Sequence, residues 1–101
     1  EIFATSRRYS AAEALQMKLV NHALPGAAFE AFVAEYLGQI GGNAPLTIAA
    51  AMRAIDEALK PERDQDLRAV SDMVTACFAS EDYAEGRTAF MAKRRPVFRG
   101  R

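Results

Sequence analysis

The chain has 101 residues, half of them apolar, and its 13 basic residues balance 13 acidic residues. This length suits one small domain, and the even charge gives no general attraction to nucleic acid or to an anionic membrane surface. The longest unbroken apolar run covers residues 48 to 52, far short of the ~20 residues that span a bilayer. Composition therefore argues against a membrane protein and against a strongly basic nucleic-acid-binding protein.

The first 24 residues are predicted to form a linker segment with one short helix. Ser10 and Glu13 have the spacing of a capping box, in which each side chain accepts a hydrogen bond from the other residue's amide. A helix from about residue 11 to residue 18 should follow. Because apolar residues precede this unit without a helix start signal, we expect the segment to be truncated at its start. Pro25 and Gly26 then mark a turn.

Three amphipathic helices are predicted next, each with apolar residues at helical spacing. The first should stop at Gly41-Gly42, and its stripe contains Phe29, Phe32, Val33, Tyr36, Leu37 and Ile40. The second, capped by Asn43 with Pro45 in its first turn, should bury Ile48, Met52, Ile55 and Leu59. The third should begin near Asp64, with a face formed by Leu67, Val70, Val74, Cys77 and Phe78. We expect these stripes to pack in a core or at a subunit contact.

The last twenty residues are predicted to form one more helix and a basic tail. Ser80 is the expected N-cap, so the helix should begin near Glu81. A stripe at spacings of three and four follows, made of Tyr83, Gly86, Phe90 and Lys93. Positive charge suits the last turn of a helix, and Pro96 forbids continuation. The last turn is therefore expected to hold Lys93, Arg94 and Arg95.

Few residues suggest catalysis. His22 is the only histidine, the lone Cys77 lies far from it in a helical core pattern, and no cluster has metal-ligand spacing. Asp82 and Glu85 could form an acid-base pair, but we favour helix-dipole compensation and pairing with Arg87 or other cations. We interpret Cys77 as a buried, reduced thiol of a cytoplasmic protein.

Several fixed offsets near the end of the chain together resemble the C-terminal end of the enoyl-CoA hydratase/isomerase (crotonase) superfamily. They are Asp82, Glu85-Gly86, Ala89-Phe90, Lys93-Arg94, Pro96, Phe98 and Gly100. The stretches from Ser10 to Asn21 and from Asn43 to Leu46 are similar to the same family. One departure is Lys18, since the family usually has glycine before Leu-Val. A non-glycine residue there costs up to ~1 kcal/mol if the backbone is left-handed.

The resemblance implies an all-α fold, a small orthogonal-type bundle of about five helices. Residues 1–24 would be the linker, and residues 25–101 would be the C-terminal helical domain with its basic tail. Family members carry their catalytic glutamates and oxyanion-binding amides in an N-terminal α/β core, which is missing here. The resemblance therefore implies no catalytic residue and no metal in this chain, and an inactive isolated fragment. The parent would be an enoyl-CoA hydratase (a lyase) or isomerase of fatty acid metabolism.

The resemblance also implies a binding role for the terminal helix, which in the family lies near the adenine and phosphates of coenzyme A. Phe90 would offer an apolar face to adenine, and Lys93 a cation to the phosphates. The implied partners are the acyl-CoA substrate of the parent and further copies of the chain. No covalently bound cofactor, nucleic acid or membrane is expected. Two alternatives remain: a simple solvated tail, and a free-standing helical interaction or nucleic-acid-binding module with a basic tail.

Overall fold

The computed structural model describes all 101 residues and contains helices but no strand, which confirms the all-α prediction. The six α-helices are α1 (Ile2–Thr5), α2 (Ala11–Gln16), α3 (Gly26–Gly41), α4 (Pro45–Ala58), α5 (Leu67–Ala79) and α6 (Glu81–Met91). A 3-10 turn at Glu62–Asp64 lies between α4 and α5. None of these helices has the length and apolar character that crossing a bilayer requires. The chain forms two compact units, Glu1–Glu35 and Tyr36–Arg101.

In the first unit, the predicted capping box at the start of α2 is present. The Ser10 hydroxyl accepts from the Glu13 amide at 3.2 Å, and the Glu13 carboxylate accepts from the Ser10 amide at 2.8 Å. The bond from the Ser10 amide, followed by the one from the Arg7 guanidinium 2.7 Å away, lowers the pKa of Glu13 to about 2. Helix α2 ends at Gln16, two residues before the predicted end, because Lys18 is left-handed with φ 59°. Lys18 thus has the backbone conformation that favours glycine.

His22 lies in the loop between α2 and α3. Its ring is tilted against the ring of Phe32, with 4.8 Å between the centroids. This contact stays within the first unit and gives His22 a packing role.

In the second unit, the prediction that Asn43 caps α4 is wrong. The N-cap is Ala44, which makes no side-chain cap, and Pro45 occupies the first turn as predicted. The Asn43 side-chain amide donates to the carbonyl of Gln39 at 2.9 Å, so it satisfies the end of α3 instead. The last carbonyls of α3 and the first amides of α4 both lack partners within their own helices. Because Pro45 has no N–H group, α4 has one amide fewer that needs a cap.

The packing of α4 against α5 also differs from the prediction. The stripe expected to be buried is exposed, since Met52 and Ile55 are each 55% exposed and Leu59 is 81% exposed. The buried residues of α4 are Ala50 and Glu57, on a face where small side chains allow α5 to approach closely. The core within this chain therefore forms on the alanine face of α4, and the larger apolar side chains remain outside it.

The Glu57 side chain, which is fully buried, joins the end of α4 to the start of α5. Its carboxylate accepts from the Lys60 ammonium at 2.8 Å and from the Asp66 amide at 2.9 Å, and it lies 2.7 Å from the Arg53 guanidinium. The bond from Lys60, followed by the Asp66 amide, lowers the pKa of Glu57. A buried charge is tolerated here because each of its oxygens has a partner.

Much apolar surface remains accessible in both units. The solvent-accessible area is 8516 Å², whereas a folded monomer of 11.0 kDa is expected to expose about 5,600 Å². The only buried hydrophobic residues are Ala50 and Ala89. The expectation that Phe29, Met52 and Phe78 pack inside is therefore wrong within this chain, and their role at a subunit contact stays a prediction.

Candidate functional site

A groove of about 650 Å³ in the second unit is the principal candidate site. Helices α4, α5 and α6 line it together with Phe98 from the segment after α6. Most of its lining side chains are apolar, including Cys77, Phe78, Tyr83 and Phe90. Cys77 is only partly buried, so the prediction of a core thiol is corrected to that of a groove-lining thiol.

Helix α6 begins where the sequence predicted. The Ser80 hydroxyl accepts from the Tyr83 amide at 3.1 Å, which is the expected N-cap, and the first helical residue is Glu81. This cap fixes the direction of α6 and so presents Tyr83 and Phe90 to the groove.

Helix α6 ends earlier than predicted. Its last residue is Met91, and Lys93 is left-handed with φ 51°. The Lys93 amide donates to the Phe90 carbonyl at 3.1 Å, and the Arg94 amide donates to the Ala89 carbonyl at 3.0 Å. This pair of bonds is the Schellman arrangement of helix ends. Lys93, Arg94 and Arg95 therefore lie beyond the helix, and Lys93 does not continue its stripe.

The two predicted binding residues have different positions. Phe90 lines the groove and is 82% exposed, whereas Lys93 is not among the groove-lining residues. The cation that does line the groove is Arg87, whose guanidinium lies 5.9 Å from the centroid of the Tyr83 ring. The i, i+4 spacing of Tyr83 and Arg87 was the available signal for this arrangement.

The segment after α6, residues 94–101, is called the tail segment below. Asp82 binds it with main-chain and side-chain groups, and only 4% of Asp82 is exposed. One carboxylate oxygen accepts from the Arg99 amide at 2.6 Å, and the other accepts from the Gly100 amide at 2.7 Å. The Asp82 amide donates to the Arg101 carbonyl at 3.0 Å. The tail segment therefore returns to the first turn of α6.

Two further acidic residues of α6 bind the tail segment. Glu85 accepts two bonds from the Arg94 guanidinium, at 2.6 and 2.8 Å, and one from the Val97 amide at 2.9 Å. The bonds from Arg94, followed by the one from Val97, lower the pKa of Glu85 to about 2. Glu81 binds Arg101 at 3.0 Å. Asp82 and Glu85 thus act as structural carboxylates. Pairing was predicted with Arg87 or other cations, and the cation that binds Glu85 is Arg94.

Phe98 is a groove-lining residue that the sequence analysis did not identify. Its ring lies against Gly86 of α6, where a β-carbon on residue 86 would lie 3.4 Å from the Phe98 ring. The lack of a side chain at Gly86, in the middle of an aromatic stripe, was the available signal for an approaching ring. Phe98 and Phe90 line the same groove.

The sequence agrees over its whole length with one protein family. The model of the family described as enoyl-CoA hydratase/isomerase matches residues 1–101. The chain belongs to the enoyl-CoA hydratase/isomerase family. Because the match covers both compact units, the family includes the linker segment as well as the groove.

Individual relatives agree with this membership. The chain is 31% identical to enoyl-CoA hydratase EchA19 of Mycobacterium tuberculosis over 101 residues, covering all of this chain and 38% of that protein. It is 34% identical to methylmalonyl-CoA decarboxylase of Escherichia coli, covering 99% of this chain and 39% of that protein. The names of these two relatives give different reactions, but each of them names a CoA compound.

A solved structure shows the same helical arrangement. The crystal structure of an enoyl-CoA hydratase from Mycobacterium tuberculosis matches with a TM-score of 0.76 at 33% identity, over 97% of this chain and 39% of that one. The chain therefore spans about two fifths of the length of the family members that it matches.

Proposed function

We propose that this chain is the C-terminal helical part of an enoyl-CoA hydratase-type protein, where it mediates packing and oligomer formation and forms part of the CoA-binding wall. The parent would act in acyl-CoA metabolism. It would add water across, or shift, a carbon-carbon double bond next to a CoA thioester. Hydration is our first choice and isomerisation our second.

The proposed packing role rests on the apolar surface that the chain exposes. The accessible area is about half as large again as that expected for a folded monomer of this mass. Leu59, Phe78, Phe90 and Met91 are each more than half exposed. Large exposed apolar surface is typical of protein contacts. We propose that another part of the parent, or a second copy of the chain, packs against this exposed apolar surface.

The groove supports the CoA-contacting role. Phe90 supplies a flat apolar surface at the groove, and stacking on an aromatic ring suits a nucleobase. Arg87 lines the same groove and offers a cation to phosphate groups, and Lys93, outside the groove lining, is three residues after Phe90 in the sequence. The carboxylate oxygens of Asp82, which also lines the groove, are occupied by the amides of Arg99 and Gly100. We therefore keep Phe90 and Lys93 as the proposed CoA contacts.

We do not propose that this chain alone catalyses a reaction. Thioester chemistry of this kind needs paired amides for the oxyanion and a carboxylate positioned at the reacting carbon. Glu57, Asp82 and Glu85 are engaged in structural hydrogen bonds. The chemical step is proposed to belong to other residues of the parent.

Titration with coenzyme A tests the proposal. The parent polypeptide, with and without the residues upstream of this chain, is compared with Lys93→Ala at two salt concentrations. Removal of one phosphate-binding cation should weaken binding by about tenfold at low salt and by less at high salt. Arg68→Ala removes an exposed cation outside the groove and serves as the matched control. If neither form binds coenzyme A, the CoA-contacting role is wrong and the free-standing helical module is favoured.

A further inference from the structure

The tail segment forms one side of the groove, and a single carboxylate fixes it there. Asp82 accepts from two successive amides, those of Arg99 and Gly100, directly after Phe98. These bonds leave little freedom to the backbone that carries the Phe98 ring. Short bonds from amides to a nearly buried carboxylate belong to the stronger class of hydrogen bonds.

A second contact fixes the same stretch of backbone. Gly100 is left-handed with φ 75°, and a β-carbon there would lie 3.4 Å from the ring of Pro45 at the start of α4. The tail segment thus lies against both α6 and the first turn of α4, two of the helices that line the groove. Phe98 occupies the space over Gly86 because both of these contacts hold the tail in place.

We infer that Asp82 is a positioning residue of the groove: by binding the Arg99 and Gly100 amides it keeps the Phe98 ring against Gly86, and so shapes the groove that Phe98 lines together with Phe90. This inference rests on the proposed function, because the occupant to which it commits is the adenosine end of coenzyme A. A flat base with anionic phosphates suits an apolar groove that contains Arg87. Loss of the tail contact would widen the groove and remove one of its three phenylalanine rings.

The thiol of Cys77 offers a direct measurement, since it lines the same groove and is the only cysteine. The experiment measures the rate of alkylation of Cys77 by N-phenylmaleimide in the 101-residue chain. Asp82→Asn replaces one acceptor oxygen by an amide group that faces an N–H donor. Asp82→Asn should raise the rate about tenfold, the effect of losing one hydrogen bond to a charged group. Phe98→Ala should raise it at least as much, because the ring itself is removed. Asp72→Asn, an exposed change outside the groove, should leave the rate unchanged.

A double-mutant cycle separates positioning from a general structural role. If Asp82 acts through Phe98, the double variant should react no faster than Phe98→Ala alone, and Phe98→Leu should restore part of the protection. Additive effects, or an unchanged rate in a folded Asp82→Asn variant, would overturn the inference.

Should Asp82→Asn unfold, Gly86→Leu displaces the Phe98 ring while keeping the Asp82 carboxylate. An unchanged rate in that variant contradicts the inference, and a rate equal to that of Phe98→Ala supports it.

Coenzyme A itself distinguishes this inference from the proposed function. Bound coenzyme A should slow alkylation of Cys77 in the wild type and lose at least part of this effect in Phe98→Ala. If the effects of Asp82→Asn and Phe98→Ala on the alkylation rate are coupled but coenzyme A does not slow alkylation, the positioning role stands and coenzyme A is rejected as the occupant of the groove. Protection that is equal in the wild type and in Phe98→Ala would reject the positioning role and keep the CoA-contacting role.

Discussion

Glu85 and Arg94 form a two-bond pair across nine positions of the chain, with both carboxylate oxygens within 2.8 Å of guanidinium nitrogens. The same carboxylate accepts from the Val97 amide. One residue of α6 therefore binds both the side chain and the backbone of the tail segment. Since the pair is accessible to water, its effect should be sought in the tail segment and not in global stability.

The attachment of the tail segment should depend on pH. The pKa of Glu85 is lowered from 4.5 to about 2, so its contribution is complete above pH 4.5 and is lost as the pH falls towards 2. The carboxyl carbon shift of Glu85 and the amide shift of Val97 should titrate together in NMR spectra. In Arg94→Ala the midpoint should rise towards 4.5. An unchanged midpoint in that variant would show that Arg94 is not the cause.

Substitution of Glu57 should lower stability more than substitution of a neighbouring acid. Glu57→Gln leaves the cations of Arg53 and Lys60 without their buried partner, so the Tm should fall by several degrees. Asp56→Asn, one residue earlier and exposed, is the matched control and should change the Tm little. Thermal unfolding followed by circular dichroism makes the comparison. Equal shifts in the two variants would contradict a special role for Glu57.

Replacement of Lys18 by glycine should stabilise the chain. Lys18 has φ 59°, and relief of that conformation contributes up to ~1 kcal/mol to the free energy of unfolding. Met17 has φ −75° and is right-handed, so Met17→Gly should be destabilising and provides the control. Urea unfolding measures both variants. A loss of stability in Lys18→Gly would mean that the lysine side chain makes a contact worth more than the strain.

The isolated chain should self-associate as its concentration rises. Exposed apolar residues on α3, α4 and α5 provide the surface, and Leu59 is 81% exposed. Sedimentation velocity should show an increasing mass, and Leu59→Lys should shift association to higher concentration. A monomer of the expected mass at high concentration would refute this prediction.

Helix positions could be predicted from local chemistry. Ser10 and Ser80 mark the starts of α2 and α6 correctly, because an N-cap depends only on residues within the next turn. A left-handed Lys18 was considered from the family's glycine at that position, although the helix was predicted to run to about residue 18. Its counterpart Lys93 was not, because three cations before Pro96 suggested a helical last turn, whereas the bonds from Lys93 and Arg94 close a Schellman end.

Burial could not be predicted in the same way. Apolar spacing in α4 identified a stripe that includes Met52 and Leu59, but spacing cannot say what covers a stripe, and within this chain α5 covers the alanine face. For the groove, Phe90 was identified on its helical stripe. Phe98 was not, because its position depends on hydrogen bonds that Asp82 accepts from amides 17 and 18 residues later.

The bond between the Asp82 amide and the Arg101 carbonyl brings the two ends of a twenty-residue stretch together. Ring closure of so short a stretch costs little chain entropy, and contacts of low sequence separation form early in folding. Helix α6 and the tail segment can therefore fold as one local unit, in which fraying at either end weakens the other. Such a unit could form its own hydrogen bonds before it packs against Pro45 of α4, and it could offer a preformed surface to the remainder of a polypeptide during assembly.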